Sequence, residues 1–160
     1  MRVFGIDCGS QKTGYGIIET DGRNHRALEF GVIKVVPGSS FPDRLQKIHS
    51  ELQALVAVHN PDTIAIEEIF NAVNVKTTLK LAQVRGVALL LAAQVELPVG
   101  EYSPLEIKKS VVGYGRAEKR QVQLMVASLL GLREPIESQD AADALAVAIC
   151  HSQRVARGTL

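Results

Sequence analysis

Near the start of this 160-residue chain, Val3-Phe4-Gly5-Ile6-Asp7 forms a short apolar run that ends in an acid, the pattern of a buried strand. Residues 13–19 and 27–36 have the composition of two further strands, and Asp21-Gly22 between them is a strong turn signal. Three strands joined by such short connections predict an antiparallel meander. The rest of the fold is expected to assemble on this meander.

The remaining chain alternates helices with strands. The predicted elements, in order, are a helix over 41–59, a strand over 63–67, a helix over 75–95, a strand over 98–102, a helix that starts at the capping box Ser103-Pro104-Leu105-Glu106, and helices over 117–130 and 139–151. A meander followed by this alternation predicts an α/β fold. We expect one mixed five-stranded sheet, with three antiparallel and two parallel strands, flanked by helices.

Length and composition indicate a single folded domain. A chain of this length buries a sizeable core, and 46% of its residues are hydrophobic. We assign the domain to residues 1–152 and expect 153–160 to form a flexible tail, because that segment holds two arginines and little that packs.

The sequence also predicts where the protein works. The longest apolar runs, 87–93 and 144–150, are too short to span a bilayer. The N-terminus reaches Asp7 too soon to be a signal peptide. Two cysteines without metal-type spacing fit a reducing compartment. We therefore expect a cytoplasmic protein with no membrane partner.

Four carboxylates stand in or beside apolar segments. Asp7 and Glu67 each end a predicted strand, while Asp140 and Asp143 lie at the start of a last helix that is apolar nearly all round. Acids in such places need compensation, and sites in open α/β sheets collect at the carboxyl ends of strands. A hard cation such as Mg²⁺ would remove the mutual repulsion. The pattern predicts a two-metal site that cuts phosphodiester bonds.

Structural explanations compete with this interpretation. Acids at helix starts are common caps, and for Asp140 and Asp143 taken alone capping is the better explanation. An acid that ends a strand is often a turn residue. Glu67 and Glu68 point to opposite faces of their strand, so the spacing does not choose between them. The combination of all four acids favours the metal site.

The charge balance is compatible with a nucleic-acid partner. The formal net charge is +1, and the chain without the four proposed metal ligands carries +5. That surplus permits a polyanionic partner without requiring one. It is most concentrated over residues 108–120, which have a net charge of +4 around Gly113-Tyr114-Gly115. A mobile basic loop would suit phosphate contacts, although composition alone allows a solvated helix face about as well.

Four blocks of the chain resemble the motifs of RuvC-type Holliday junction resolvases, in order and over nearly the whole length. These blocks are Gly5-Ile6-Asp7-Cys8-Gly9-Ser10 with Thr13-Gly14-Tyr15-Gly16; Ala65-Ile66-Glu67 with Phe70, Leu79-Lys80-Leu81 and Arg85-Gly86-Val87-Ala88; Val111-Val112-Gly113 with Ala117-Glu118-Lys119; and Asp140-Ala141-Ala142-Asp143-Ala144-Leu145-Ala146. Cys8 is a departure, because the family usually has proline there. Its expected role is that of a small buried residue.

The resemblance implies an RNase H-like fold and a homodimeric, structure-selective endonuclease that resolves four-way DNA junctions by paired symmetric nicks. Such an enzyme acts in recombination and DNA repair. The implied metal ligands are Asp7, Glu67, Asp140 and Asp143, which selects Glu67 over Glu68. Two Mg²⁺ ions per subunit are expected, with Mn²⁺ as an alternative, and the implied partner is the RuvA–RuvB branch-migration complex.

The resemblance also implies which residues bind DNA. Lys108 and Lys119 fall where the family contacts phosphates, and Phe70 falls where an aromatic side chain contacts unstacked bases. We add Arg116 from the basic stretch 108–120. Lys80 and Arg85 are further candidates for the DNA surface.

Three other functions are compatible with parts of the sequence. The segment Gly5-Ile6-Asp7-Cys8-Gly9-Ser10 also resembles the first phosphate loop of actin-like ATPases and sugar kinases, but this chain is short and lacks a second glycine-rich loop. A resolvase-like nuclease that acts on RNA would use the same acids. A non-catalytic junction-binding module would not need all four of them.

Cys8 and Cys150 are not expected to form a disulfide. Cys150 lies ten residues beyond Asp140, about 15 Å along a helix. If Asp140 sits beside Asp7, the two sulfur atoms are too far apart to bond.

Overall fold

The structure, a computed structural model, describes residues 1–69 and 74–158 and contains one five-stranded sheet. The strands are β1 (Arg2–Asp7), β2 (Lys12–Thr20), β3 (His25–Lys34), β4 (Thr63–Glu67) and β5 (Val99–Tyr102). They lie in the order β3-β2-β1-β4-β5. The pairs β1–β2 and β2–β3 are antiparallel, while β1–β4 and β4–β5 are parallel. The predicted mixed sheet is confirmed.

Five helices cover the sheet in the described part of the chain. They are α1 (Phe41–His59), α2 (Val75–Gln94), α3 (Pro104–Val112), α4 (Lys119–Leu129) and α5 (Gln139–Ala156). The capping box predicted for α3 is present, since Ser103 and Glu106 bond reciprocally at its first turn. Among residues 1–69 and 74–158, no helix combines the length and the apolar character that crossing a membrane requires.

Two hydrophobic clusters hold the helices on opposite faces of the sheet. On one face, α1 and α2 bury side chains such as Leu52 and Leu91 against Phe4 and Ile64. On the other face, α3, α4 and α5 pack against side chains that include Val3, Ile18 and Ala65. Burial of this apolar surface is the main stabilising contribution to the fold. Helix α5 is the most deeply buried, with every residue from Ala144 to Ser152 in the interior.

The last helix continues to Ala156 instead of ending near 151, so residues 153–156 of the predicted tail are helical. Ser152 is fully buried, and its hydroxyl donates to the carbonyl of Ile149 at 2.9 Å. Arg154 forms an ion pair with Glu106 of α3 at 2.6 Å. The polar residues at this end of α5 have partners in the fold, and the helix therefore continues past its apolar run.

Candidate active site

Two of the four acids lie side by side at one edge of the sheet. Asp7 is the last residue of β1, and Glu67 is the last residue of β4. The two strands are parallel neighbours in which Ile6 is level with Ile66. Adjacent strands lie about 4.8 Å apart, so Asp7 and Glu67, which follow Ile6 and Ile66, lie beside each other at the carboxyl edge of the sheet.

Helix α5 brings the other two acids to the same edge. Its first turn is capped by Ser138, whose hydroxyl accepts from the backbone N–H of Ala141. Asp140 lies in that first turn, and Asp143 follows one turn later on the same side of the helix. The capping role is thus taken by Ser138, and the two aspartates are available for the site.

Close contact between α5 and the sheet depends on glycine in two strands. Gly14 of β2 is directly opposite Asp7. A Cβ atom on Gly14 would lie 3.2 Å from the Cα of Asp140 and would overlap the carbonyl oxygen of that residue. A Cβ on Gly5 would similarly overlap the carbonyl oxygen of Ala144. The missing side chains let α5 lie against β1 and β2, which holds Asp140 near Asp7.

The four acids line one pocket, together with two lysines. The pocket has a volume of about 420 Å³. Its walls are formed by Asp7, Glu67, Pro104, Ile107, Lys108, Lys119, Val122, Gln139, Asp140 and Asp143. The structure therefore brings together residues that are distant in sequence. It gathers all four predicted metal-binding acids and two of the predicted DNA-binding lysines.

Burial and mutual repulsion make these carboxyl groups weak acids. Burial, followed by the charges of Glu67, Asp143 and Asp140 in that order of importance, raises the pKa of Asp7 to about 8. Burial also raises the pKa of Glu67 to about 7, with Asp143 as the next contribution. Lys119 opposes both shifts. Near neutral pH the cluster retains protons unless additional positive charge is brought to it.

Asp143 has a partner that the sequence analysis did not single out. Burial raises its pKa, while Lys119 and a hydrogen bond from Gln139 oppose the shift. The Nε2 of Gln139 donates to Oδ2 of Asp143 at 3.5 Å. The two residues are four apart on α5, a spacing that places side chains together on a helix and that could have identified Gln139.

The donor set fits a hard divalent cation. Carboxylate oxygens are the ligands that Mg²⁺ prefers, and the raised pKa of Asp7 shows that four acids here lack sufficient positive charge. In the conformation described for residues 1–69 and 74–158, no three His, Cys, Asp or Glu side chains stand close enough to hold a metal ion. Carboxylates that repel one another are expected to keep their oxygen atoms apart even when they line the same pocket. The site therefore fits a cation that would draw them together.

Among the described residues, the other predicted DNA-binding side chains do not line this pocket. Arg116 is exposed between α3 and α4. The ammonium group of Lys80 lies 5.8 Å from the centre of the Phe41 ring. Arg85 forms an ion pair with Glu101, and its buried Nε has no hydrogen-bond partner among the described residues. Phe70 lies outside the described residues.

Both cysteines are free, which confirms that Cys8 and Cys150 do not form a disulfide. Burial, followed by the charge of the neighbouring Asp7, raises the pKa of Cys8 to about 12. Cys8 is therefore a neutral thiol at physiological pH. Its side chain is half-buried beside the acid cluster.

Comparison with known proteins identifies relatives of the whole chain. A family model described as Crossover junction endodeoxyribonuclease RuvC matches residues 3–151. A protein of that name from Acidobacterium capsulatum is 54% identical over 158 residues, which cover 94% of this chain and 92% of the relative. The protein of that name from Syntrophomonas wolfei is 51% identical over 151 residues, covering 94% of this chain and 88% of the relative.

Solved structures show the same similarity in three dimensions. Thermus thermophilus RuvC in complex with a Holliday junction substrate superposes with a TM-score of 0.95 at 32% identity, covering 99% of this chain and 97% of that chain. The yeast mitochondrial Holliday junction resolvase Ydc2 shares the fold, with a TM-score of 0.68 at 17% identity, over 97% of this chain and 79% of that chain. The predicted RNase H-like fold is confirmed.

Proposed function

The chain belongs to the RuvC family of crossover junction endodeoxyribonucleases, and we propose that it resolves four-way DNA junctions by hydrolysing phosphodiester bonds at its pocket of four acids. The observation that carries this proposal is the convergence of Asp7, Glu67, Asp140 and Asp143 from three separate elements into one pocket. Neither the phosphotransferase nor the non-catalytic binding module is favoured. The activity belongs to recombination and DNA repair, and we place it in the cytoplasm.

Nucleases of this family depend on a divalent metal ion. We infer that the ion is Mg²⁺, that Mn²⁺ can replace it, and that two ions bind per subunit. The four carboxylates would hold them. When bound, such ions activate a water molecule and stabilise charge on the phosphate and on the leaving oxygen. Since the three other acids all raise the pKa of Asp7, we assign it the central position in the ligand set.

Lys108 and Lys119 are proposed to position the DNA strand. Both line the acid pocket and both oppose the raised pKa of Glu67, so their positive charges act inside the site. An ammonium group there can bind the phosphate that is cut or one beside it. Arg116, Lys80, Arg85 and Phe70 are proposed as further contacts to the junction, with Phe70 stacking on a base.

We also propose that the protein acts as a homodimer. A junction with approximate two-fold symmetry needs two equivalent sites for paired nicks, and one chain provides a single cluster of these acids. Helix α2 offers a surface for a second copy. Leu79 and Leu90 are 60% and 55% exposed, and they flank Gly86, whose missing side chain would meet open space. Two such helices can pack closely across a two-fold axis at Gly86.

A cleavage experiment tests the proposed function. A synthetic four-way DNA junction, the same junction made of RNA and a linear DNA duplex are incubated with the protein in Mg²⁺ or in EDTA. We expect symmetric nicks in opposite strands of the DNA junction alone, and only with Mg²⁺. Equal cutting of the linear duplex would contradict structure selectivity. Preferential cutting of the RNA junction would favour the RNA nuclease.

Binding by RuvA and RuvB stays a prediction from the family.

A further inference from the structure

A second basic surface lies at the end of the β2–β3 hairpin. It is a groove of about 500 Å³ lined by three cationic side chains, Lys12, Lys34 and Arg44. Its other walls are Gln11 and residues 35–38, so no carboxylate lines it. The groove is separate from the acid pocket and holds none of the residues considered above for DNA binding.

The two lysines are held together by the register of the sheet. Lys12 of β2 is directly opposite Lys34 of β3, and both side chains are exposed. Like charges directly opposite each other on neighbouring strands are destabilising. Within residues 1–69 and 74–158, neither lysine forms an ion pair with a carboxylate. An anion bound between the two lysines would remove this repulsion.

Arg44 adds a positioned donor to the groove. It lies in the first turns of α1, and its Nε donates to the carbonyl oxygen of Ser39 at 3.1 Å. This bond fixes the guanidinium beside the loop that follows β3. The two terminal nitrogens keep further N–H donors in the fork geometry that matches phosphate oxygens.

The two lysines of the groove share one edge and one face of the sheet with the acid pocket, while Arg44 reaches the groove from α1 on the other face. Lys12 lies two residues before Gly14, which is opposite Asp7, so its side chain points to the same face as Gly14. That face is the one covered by α5, because Gly14 adjoins the backbone of Asp140. The spacing between strands and the rise along them place the Cα of Lys34 about 12 Å from the Cα of Asp7. Three or four nucleotides of a DNA strand span about the same distance.

The acids lie between two basic surfaces. Lys108 and Lys119 belong to helices that follow β5, the strand at one margin of the sheet. The groove lies where β2 begins and β3 ends, towards the other margin. A strand that crosses the acid pocket towards β3 would reach the groove. We propose that Lys12, Lys34 and Arg44 form a phosphate-binding subsite for the DNA backbone, three or four nucleotides from the bond that is cut. This inference rests on the proposed nuclease function.

Salt dependence of junction binding tests the subsite. The variant Lys12→Gln/Lys34→Gln removes two charges from the groove, and Arg23→Gln/Arg26→Gln removes two exposed charges at the opposite end of the same hairpin. Affinity for a four-way DNA junction is measured in EDTA between 50 and 200 mM salt. Each lost phosphate contact should reduce the slope of log affinity against log salt by about 0.9. For two contacts, the ratio of wild-type to variant affinity then falls on the order of tenfold across this range.

Junctions with neutral linkages locate the contact. Methylphosphonate linkages are placed two to five nucleotides from the cut, on its 5′ side in one substrate and on its 3′ side in another. Wild-type protein and the Arg23→Gln/Arg26→Gln control should lose affinity for one of these substrates, at a spacing of three or four nucleotides. The Lys12→Gln/Lys34→Gln variant should lose less affinity than the wild type for that substrate, because only Arg44 of the three proposed contacts remains.

The outcomes separate the subsite from the nuclease. The Lys12→Gln/Lys34→Gln variant should melt at or above the wild-type temperature, since the change removes a repulsive pair. If it keeps the wild-type salt slope and the wild-type response to neutral linkages while the wild type resolves junctions, the subsite is wrong and the nuclease function stands. If the wild type does not cut junctions at all, the proposed function is wrong, and the subsite, which depends on that function, is wrong as well. A changed affinity for an acidic peptide in place of DNA would assign the groove to a protein partner.

Discussion

Gly14 and Asp140 meet backbone to backbone, although 126 positions separate them in sequence. A Cβ on Gly14 would overlap the carbonyl oxygen of Asp140, and Gly14 is itself directly opposite Asp7. The glycine therefore sets how closely α5 lies above the strand pair that carries the first acid. The geometry of the acid pocket depends on this contact as much as on the acids.

The change Gly14→Ala should displace the start of α5 and with it Asp140. Forcing one extra carbon into such a contact typically costs about 1–3 kcal/mol of unfolding free energy. We expect a lower melting temperature and a loss of junction cutting larger than the loss of folded protein explains. Calorimetry and a single-turnover cleavage assay measure the two effects.

The control for this prediction is Ala57→Ser in α1, where the added oxygen atom would stand at an exposed position. Serine is slightly less favourable than alanine in a helix interior, so this variant should lose at most about 0.5 kcal/mol of unfolding free energy and keep wild-type cutting. A Gly14→Ala protein with wild-type stability and wild-type cutting would show that α5 does not depend on this contact.

The raised pKa values of Asp7 and Glu67, about 8 and about 7, predict that the metal-free protein is less stable at higher pH. In the unfolded chain these groups titrate near their ordinary pKa values of 3.8 and 4.5. Between about pH 4 and pH 8 the folded state therefore binds more protons than the unfolded chain, and the unfolding free energy falls as pH rises. Asp7→Asn should weaken this dependence and raise the melting temperature at pH 8 in EDTA.

Glu134→Gln, an exposed change outside the pocket, is the control for pH dependence. Its melting temperature should follow that of the wild type from pH 5 to pH 8. Mg²⁺ should raise the melting temperature of the wild type at pH 8 and raise that of Asp7→Asn less. A wild-type protein in EDTA whose stability rises steadily from pH 5 to pH 8 would contradict the acid cluster as described.

Lys119 should act on both the acids and the DNA. Its charge lowers the pKa values of Asp7, Glu67 and Asp143, so Lys119→Gln should raise them further. The acid limb of the pH–rate profile should then move to higher pH. The salt slope of junction binding should fall by about 0.9 for one lost phosphate contact.

Arg120→Gln serves as the matched control for Lys119→Gln, because Arg120 is the adjacent exposed cation and does not line the pocket. It should leave the pH–rate profile in place. Identical profiles for the two variants would mean that Lys119 does not act on the acids.

The sequence predicted the sheet and the convergence of the four acids, because both depend on local signals. Helix α1 spans Phe41–His59 as predicted, with Pro42 in its first turn and the left-handed Asn60 at its end. Strand ends placed Asp7 and Glu67 at one edge without any knowledge of contacts. Those signals are short-range, and they were sufficient here.

Features that depend on distant contacts were not predictable. Residues 153–156 were predicted as part of a tail, yet they continue α5, and Arg154 forms an ion pair with Glu106 of α3. The register that sets Lys12 opposite Lys34 was likewise unknown until the strands were paired. The hydrophobic periodicity of a sequence predicts which face of a helix or strand is buried. It does not predict which polar residues of different elements contact each other.

The proposed dimer depends on the exposed face of α2. Leu90→Glu places a charge where a second copy would pack, so we expect it to convert a dimer to monomers and to abolish paired nicks. Light scattering after gel filtration and a nick-pairing assay measure these effects. Val58→Glu, at a residue that is 70% exposed on α1, is the control and should remain dimeric. A dimeric Leu90→Glu protein would place the interface elsewhere.

The most direct test of the active site compares wild-type protein with Asp7→Asn on one four-way DNA junction, with cutting measured in Mg²⁺ and binding measured in EDTA. Asparagine keeps the size of the side chain and removes the charge that the metal ions require. We predict that Asp7→Asn binds the junction with close to wild-type affinity and makes no nicks. An Asp7→Asn protein that still cuts at a rate comparable to the wild type would contradict the assignment of the four acids as the catalytic metal site.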